Sequence, residues 1–177
     1  MINKIEKKNG FSLIELLVVV AIIGILAAAG VVAYNGFMDN AKKSSSKANH
    51  TTVVKFIANS IMKCEIGQEL ILKYSYDLNS GKLTYTSDMC SYVLAGNVSK
   101  MQSAFANHFN SPAWCNPHGL KHSSGTCQEA IANGGSAGNG KLGETQIISS
   151  GSSLIIDTKV KDGEVLNNSV ELWWTAK

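Results

Sequence analysis

The feature that most limits this chain is an apolar run from Phe11 to Tyr34, 24 residues interrupted by one carboxylate, Glu15. As a helix rising ~1.5 Å per residue it spans roughly 36 Å, enough to cross the hydrocarbon core of a bilayer. Met1–Gly10, ahead of it, is short and basic, with Lys4, Lys7 and Lys8. The positive-inside rule holds those lysines in the cytoplasm and sends the C-terminal remainder outward. A secretory signal would place a small-residue cleavage site after roughly 7–15 apolar residues. Here Ala27-Ala28-Ala29-Gly30 is followed by more apolar residues, and the small residue standing where a cut fits is Gly10, before the run.

Plain anchoring accounts for the hydropathy but not for Glu15. A carboxylate within an apolar helix costs about 2.5–3.5 kcal/mol on insertion scales and marks a functional residue by default. No lysine lies within one or two turns inside the run. Cleavage after Gly10 would make a cationic partner, the new α-amino group of Phe11, four residues away and so a neighbour on a helix. Between chains, the amine of an incoming subunit would meet Glu15 of its neighbour and set the axial register of a stack. Pairing a lone charge while laying apolar helices side by side is a physical reason to polymerise.

Gly10-Phe11-Ser12-Leu13-Ile14-Glu15-Leu16, with the apolar run starting at the cut, closely resembles the prepilin signature of type IV pilins and type II secretion pseudopilins. The resemblance covers roughly residues 4–36. It implies that a prepilin peptidase cuts between Gly10 and Phe11 and methylates the Phe11 amine, with Glu15 as the family's acidic assembly residue. Gly24 matches a glycine where family helices loosen in the filament. Many pilins carry a proline where Val32 stands, so loosening here rests on Gly24, Gly30 and Gly36, each costing about 1 kcal/mol relative to Ala. The implied function is a structural subunit of a type IV pilus that serves adhesion, motility or DNA uptake, and not an enzyme. The alternatives are a major pseudopilin of type II secretion or a minor DNA-binding competence pilin. The implied partners are identical subunits in a helical filament, the prepilin peptidase and the pilus assembly machinery. The precursor would sit in the inner membrane as a single pass with its head outside, and the mature form in an extracellular pilus.

Past Asn35-Gly36 the composition turns polar, yet Val54, Ile57, Ala58, Ile61 and Cys64 recur at helical spacing. One long helix to about Ile66 is the expectation, with Gly67 as its C-cap. The expected fold is α+β and type IV pilin-like, a long helix with its hydrophobic half protruding, packed against an antiparallel sheet head. The expected divisions are a leader at 1–10, a transmembrane or filament-core half at 11–36, an amphipathic half at 37–66 and a head at 67–177. Within the head, Tyr74–Tyr76 and Leu83–Tyr85 flank Asn79-Ser80-Gly81-Lys82 as a hairpin. Leu94, Val98, Met101, Phe105 and Phe109 step by three or four, a short amphipathic helix of core residues rather than a cofactor pocket. Thr145–Ser149, Leu154–Val160 and Val170–Trp174, separated by turns at Gly151 and Asp162-Gly163, predict an antiparallel meander. Trp173 and Trp174 would face opposite sides of the last strand.

Cys64, Cys90, Cys115 and Cys127 make an even set in a domain expected outside the cytoplasm, where disulfides persist. Three pairings are open; the expected one joins Cys64 to Cys90, tying the helix end to the hairpin region, and Cys115 to Cys127, closing a local loop. Cys115, His118, His122 and Cys127 would make a tetrahedral zinc set if the thiols were reduced. Their spacing is irregular and the compartment oxidising, so no metal and no cofactor is expected. Asp157, Asp162 and Glu164 lack EF-hand order as a calcium set. The Gly134–Gly143 loop lacks a P-loop pattern, and Gly135-Ser136-Ala137-Gly138 lacks a nucleophile-elbow frame. His50, His108, His118 and His122 have no acidic partners in sequence and are expected mostly at the surface. Sixteen Lys and no Arg face thirteen acids. Loss of residues 1–10 would leave 13 against 12, a net charge of +1. A chain so balanced, without the bidentate phosphate-reading side chain, makes nucleic acid an unlikely partner.

Overall fold

In a computed structural model the chain is α+β. The structure describes residues 10–77, 80–111, 114–121, 126–134, 140–161 and 163–172. Its elements are α1 (Leu13–Glu65), β1 (Lys73–Asp77), β2 (Lys82–Tyr85), α2 (Cys90–Leu94), α3 (Val98–Phe109), β3 (Ile131–Asn133), β4 (Thr145–Ser150), β5 (Ser153–Lys161) and β6 (Glu164–Glu171). The chain divides into two compact units, Met1–Asn40 and Ala41–Lys177.

α1 is an unbroken helix of 53 residues. It ends as a Schellman motif: Gln68 N–H bonds the Lys63 carbonyl at 2.9 Å and Gly67 N–H bonds that of Cys64 at 3.1 Å. Gly67 sits at φ +76°, open to glycine without a Cβ penalty. In the second unit α1 buries Ser46, His50, Val53, Ile57, Ser60, Ile61 and Cys64, a stripe stepping mostly by three and four. The stripe runs through Val53 rather than the expected Val54, which is half-buried, as is Ala58.

That stripe, α3 and the inner face of the sheet enclose one core, with Ile57, Phe105, Ile147, Leu154 and Ile156 almost completely buried. The four-stranded sheet runs β3-β4-β5-β6. β4–β5 and β5–β6 are antiparallel, turning at Gly151 and Gly163, both at positive φ. The sheet is nonetheless mixed, because β3 pairs parallel with β4, Ile131 opposite Thr145. β4, β5 and β6 are the expected antiparallel meander, and β3 is an addition to it, because a three-residue strand offers no periodicity along the chain. The last strand also begins earlier than Val170, since its Glu164–Asn168 part is an edge with mostly exposed side chains rather than an apolar run. Trp173 and Trp174 lie outside the described residues.

β1 and β2 form the separate hairpin. The helix expected through Leu94 is two helices. Gly96, at φ +66°, breaks the chain, and Asn97 caps α3 by accepting the Lys100 N–H at 3.2 Å. Leu94 belongs to α2 and is exposed, while Val98, Met101, Phe105 and Phe109 are core.

Candidate processing and assembly segment

Gly10, Phe11 and Ser12 precede α1 in non-helical backbone, all three exposed. Phe11 is 91% exposed. The helix starts at Leu13 because Ser12 and Glu15 close a capping box. Ser12 N–H donates to Glu15 Oε2 at 2.7 Å, and the Glu15 N–H donates to Ser12 Oγ at 3.3 Å. The Ser12 hydroxyl also donates to the same Oε2, at 2.7 Å. Glu15 therefore has local partners that a search for cations does not find. The signal was present as the spacing Ser-x-x-Glu before an apolar run, and it supplies two neutral hydrogen bonds but no compensating charge. Met1–Asn9, the rest of the leader, lies outside the described residues.

From Leu13 to Phe37 the large apolar side chains are exposed, Val32 at 74%. Among the described residues α1 is the helix long and apolar enough to cross a membrane. Gly24, Gly30 and Gly36 lie within it, and a Cβ at each would meet nothing within 4 Å. No packing inside the chain requires glycine there.

The second unit is stapled by disulfides Cys64–Cys90, Cα–Cα 5.1 Å, and Cys115–Cys127, Cα–Cα 5.4 Å. The first joins the end of α1 to the start of α2. The second consumes both thiols of the zinc set, whose His122 lies outside the described residues. Asp157 is buried on β5, Glu164 is half-buried on β6 and Asp162 is outside the described residues, as is Gly135-Ser136-Ala137-Gly138. Among the described residues no three metal-ligating acids, histidines or cysteines cluster.

The three described histidines, His50, His108 and His118, are not the surface residues expected. His50 is 4% exposed, with Nε2 at 2.6 Å from Asn168 Oδ1 and Nδ1 at 2.9 Å from Thr158 Oγ1. Thr158 Oγ1 in turn lies 2.7 Å from Thr145 Oγ1, so a buried polar chain ties α1 to β4, β5 and β6. Asn168 can only accept through Oδ1, which makes Nε2 the protonated nitrogen. His108 stacks on Phe56, centroids 4.6 Å apart, and its Nδ1 accepts the Lys73 N–H at 3.0 Å. Burial, and then the Lys73 charge, pull its pKa down to about 4. His118 is half-buried, its backbone N–H bonded to Asn116 Oδ1. Such burial could not be read from a polar residue lying in a polar stretch.

Residues 6–31 match the family described as the prokaryotic N-terminal methylation motif. No curated protein and no solved structure matches the chain. The motif runs without a break into α1, and the second half of that helix serves as core of an α+β unit with a mixed sheet; together these support placing the chain in the type IV pilin and pseudopilin family.

Proposed function

We propose that the chain is a structural subunit that polymerises through its N-terminal helix into a type IV pilus. A prepilin peptidase would cut between Gly10 and Phe11 and methylate the Phe11 amine. The observation that carries this reading is the methylation motif at 6–31 leading into a helix whose first half leaves its apolar side chains exposed. Exposed apolar area costs about 25 cal/mol per Å², so that half requires a bilayer before assembly and other copies afterwards. The non-helical backbone at Gly10–Ser12 supports the cut, since a protease needs a chain it can draw into its cleft.

Glu15 would serve assembly from the position its cap gives it. Both Ser12 bonds go to Oε2, which leaves Oε1 for the methylated amine of a neighbouring subunit. In hydrocarbon that pair would be worth far more than at a surface, because an uncompensated charge is the alternative. The precursor would be a single-pass protein of the inner membrane with the second unit outside, and the chain itself would perform no catalysis.

Electron microscopy of sheared surface material with antibody against this chain tests the reading. Long labelled fibres are expected. Their absence, with the chain confined to the periplasm, would favour a type II secretion pseudopilin instead. Glu15→Ala, which also loses the cap, is expected to abolish fibres; Glu15→Gln keeps the cap and removes only the charge. Fibre yield unchanged in Glu15→Gln would refute the register role.

A further inference from the structure

On one side α3 carries Lys100, Ser103, Ala104 and Asn107, the i, i+3, i+4, i+7 pattern of a single face, with Ala104 buried where that face meets the core. That face walls a cavity of about 450 Å³ whose other sides come from the β1–β2 hairpin and from α2. Three tyrosines converge on it: Tyr74 from β1, Tyr85 from β2 and Tyr92 from α2. They are 57%, 60% and 39% exposed. A single exposed ring is ordinary, but three from three elements around one hollow are a built surface.

Tyr74 reaches the cavity through an irregularity. Lys73 lies opposite Tyr85 and Ser75 opposite Thr84, so Tyr74 is the extra residue of a β-bulge. A bulge bends its strand and re-aims a side chain, and this one brings Tyr74 to the hollow that Tyr85 also lines. The walls are held firmly. Thr86 exchanges two hydrogen bonds with Leu72, at 2.9 and 2.8 Å. Asp88 Oδ1 accepts from Leu70 N–H and Cys90 N–H, which holds its carboxyl below the usual range, and the Cys64–Cys90 disulfide anchors α2.

The chemistry of the lining selects among ligands. Tyrosine rings offer flat apolar faces, while Ser103 and Asn107 offer both donors and acceptors. Among the described residues the tyrosine hydroxyls, the Lys100 ammonium and the Asn107 amide have no hydrogen-bond or ion-pair partner. A pyranose matches this, with C–H faces to lie on the rings and hydroxyls around its edge. Lys100 is the single charged group among the lining residues, which fits one carboxylate. An oligonucleotide fits poorly, because each phosphate calls for a cation and the chain has no Arg. We propose that this cavity is a saccharide-binding site for a pyranose bearing one carboxylate, a hexuronate or a sialic acid. The proposal does not depend on polymerisation.

The test is an NMR titration of the full chain in zwitterionic, sugar-free detergent micelles. The probes are digalacturonate, sialyllactose and neutral lactose. The expected result is that one acidic sugar binds with Kd of about 1 mM or tighter, shifting the signals of Tyr74, Tyr85, Tyr92 and Asn107. The two acidic probes distinguish hexuronate from sialic acid. Lactose is expected to bind about 10-fold more weakly, Tyr85→Ala to lose about 10-fold for every sugar, and Lys100→Gln to lose the preference for acid alone. Both positions are off the core, and unchanged signals elsewhere establish that the variants fold. The proposal is overturned by no shift with either acidic sugar, by equal binding of lactose, or by affinity that survives Tyr85→Ala. It is equally overturned if single-stranded DNA binds the cavity where sugars do not. A failure here leaves the fibre reading intact, since fibres are scored separately by microscopy.

Discussion

The two halves of α1 share one backbone ladder and differ in what surrounds them. In Leu13–Phe37 the helix is apolar nearly all round and its large side chains are exposed. From Ser46 to Cys64 it is polar on most positions and buries a narrow stripe, including His50, Ser46 and Ser60. Helix propensity does not distinguish them, because both halves are helix. The lesson lies in the solvent each requires: the first half is stable only where water is excluded by something outside the chain, whereas the second is itself the water-excluding layer of a domain. Charge follows the same division. Glu15 in the first half is held by two local bonds from Ser12, while His50 in the second is satisfied by groups more than 100 residues away in sequence.

Paired truncations break or sharpen this contrast most strongly. Ile57→Ala should cost about 2–5 kcal/mol of unfolding free energy in the second unit, whereas Ile23→Ala should cost under about 0.5 kcal/mol. Urea unfolding of the full chain in micelles measures both, and equal effects would break the comparison. Next in size, replacing Cys64 and Cys90 together by Ala should cost about 2–4 kcal/mol, read by the same unfolding curves. His50→Ala should cost about 1–3 kcal/mol, since it empties a buried site and removes a hydrogen-bond partner of the buried Thr158, while an exposed polar neighbour such as Thr51→Ala should be near neutral.

His108 predicts a pH dependence of about 1 kcal/mol, discounted for its half exposure. Its folded pKa, about 4, lies below the ordinary value of 6.5, so the unfolded chain binds more protons in between. The contribution is full above pH about 6.5 and is lost as pH falls toward about 4. Urea midpoints at those two pH values should differ, and His108→Gln should flatten that difference. The smallest effect belongs to the exposed pair Lys47 Nζ–Glu164 Oε1, at 2.9 Å. Its hydrogen bond and charge lower the Glu164 pKa, yet Lys47→Ala should move the urea midpoint least of these changes, and less still in high salt.

Legibility in the sequence followed the range of the interactions. The long helix, its end at Gly67 and the β1–β2 hairpin are local, written in apolar spacing and in glycines that take positive φ. β4 and β5 are likewise apolar runs between turns. β3 escaped because Ile131-Ala132-Asn133 becomes a strand only by pairing with Thr145–Ile147. Leu94 shares the spacing of α3 by coincidence, which masks the helix break at Gly96. At the candidate site the Ser12–Glu15 cap is legible in the three-residue spacing of the pair, but a neutral cap leaves no mark in the pattern of charges. His50 and the bulged Tyr74 acquire their surroundings from distant or register-dependent contacts, which no window along the chain contains.

The central claim is that processing creates a methylated Phe11 amine for Glu15 to meet in the fibre. Intact mass spectrometry of the protein purified from sheared surface material tests it most directly. The account predicts a chain that begins at Phe11, carries one added methyl group and has lost the four thiol hydrogens to disulfides. A surface protein that still begins at Met1, or an unmethylated Phe11, would contradict it.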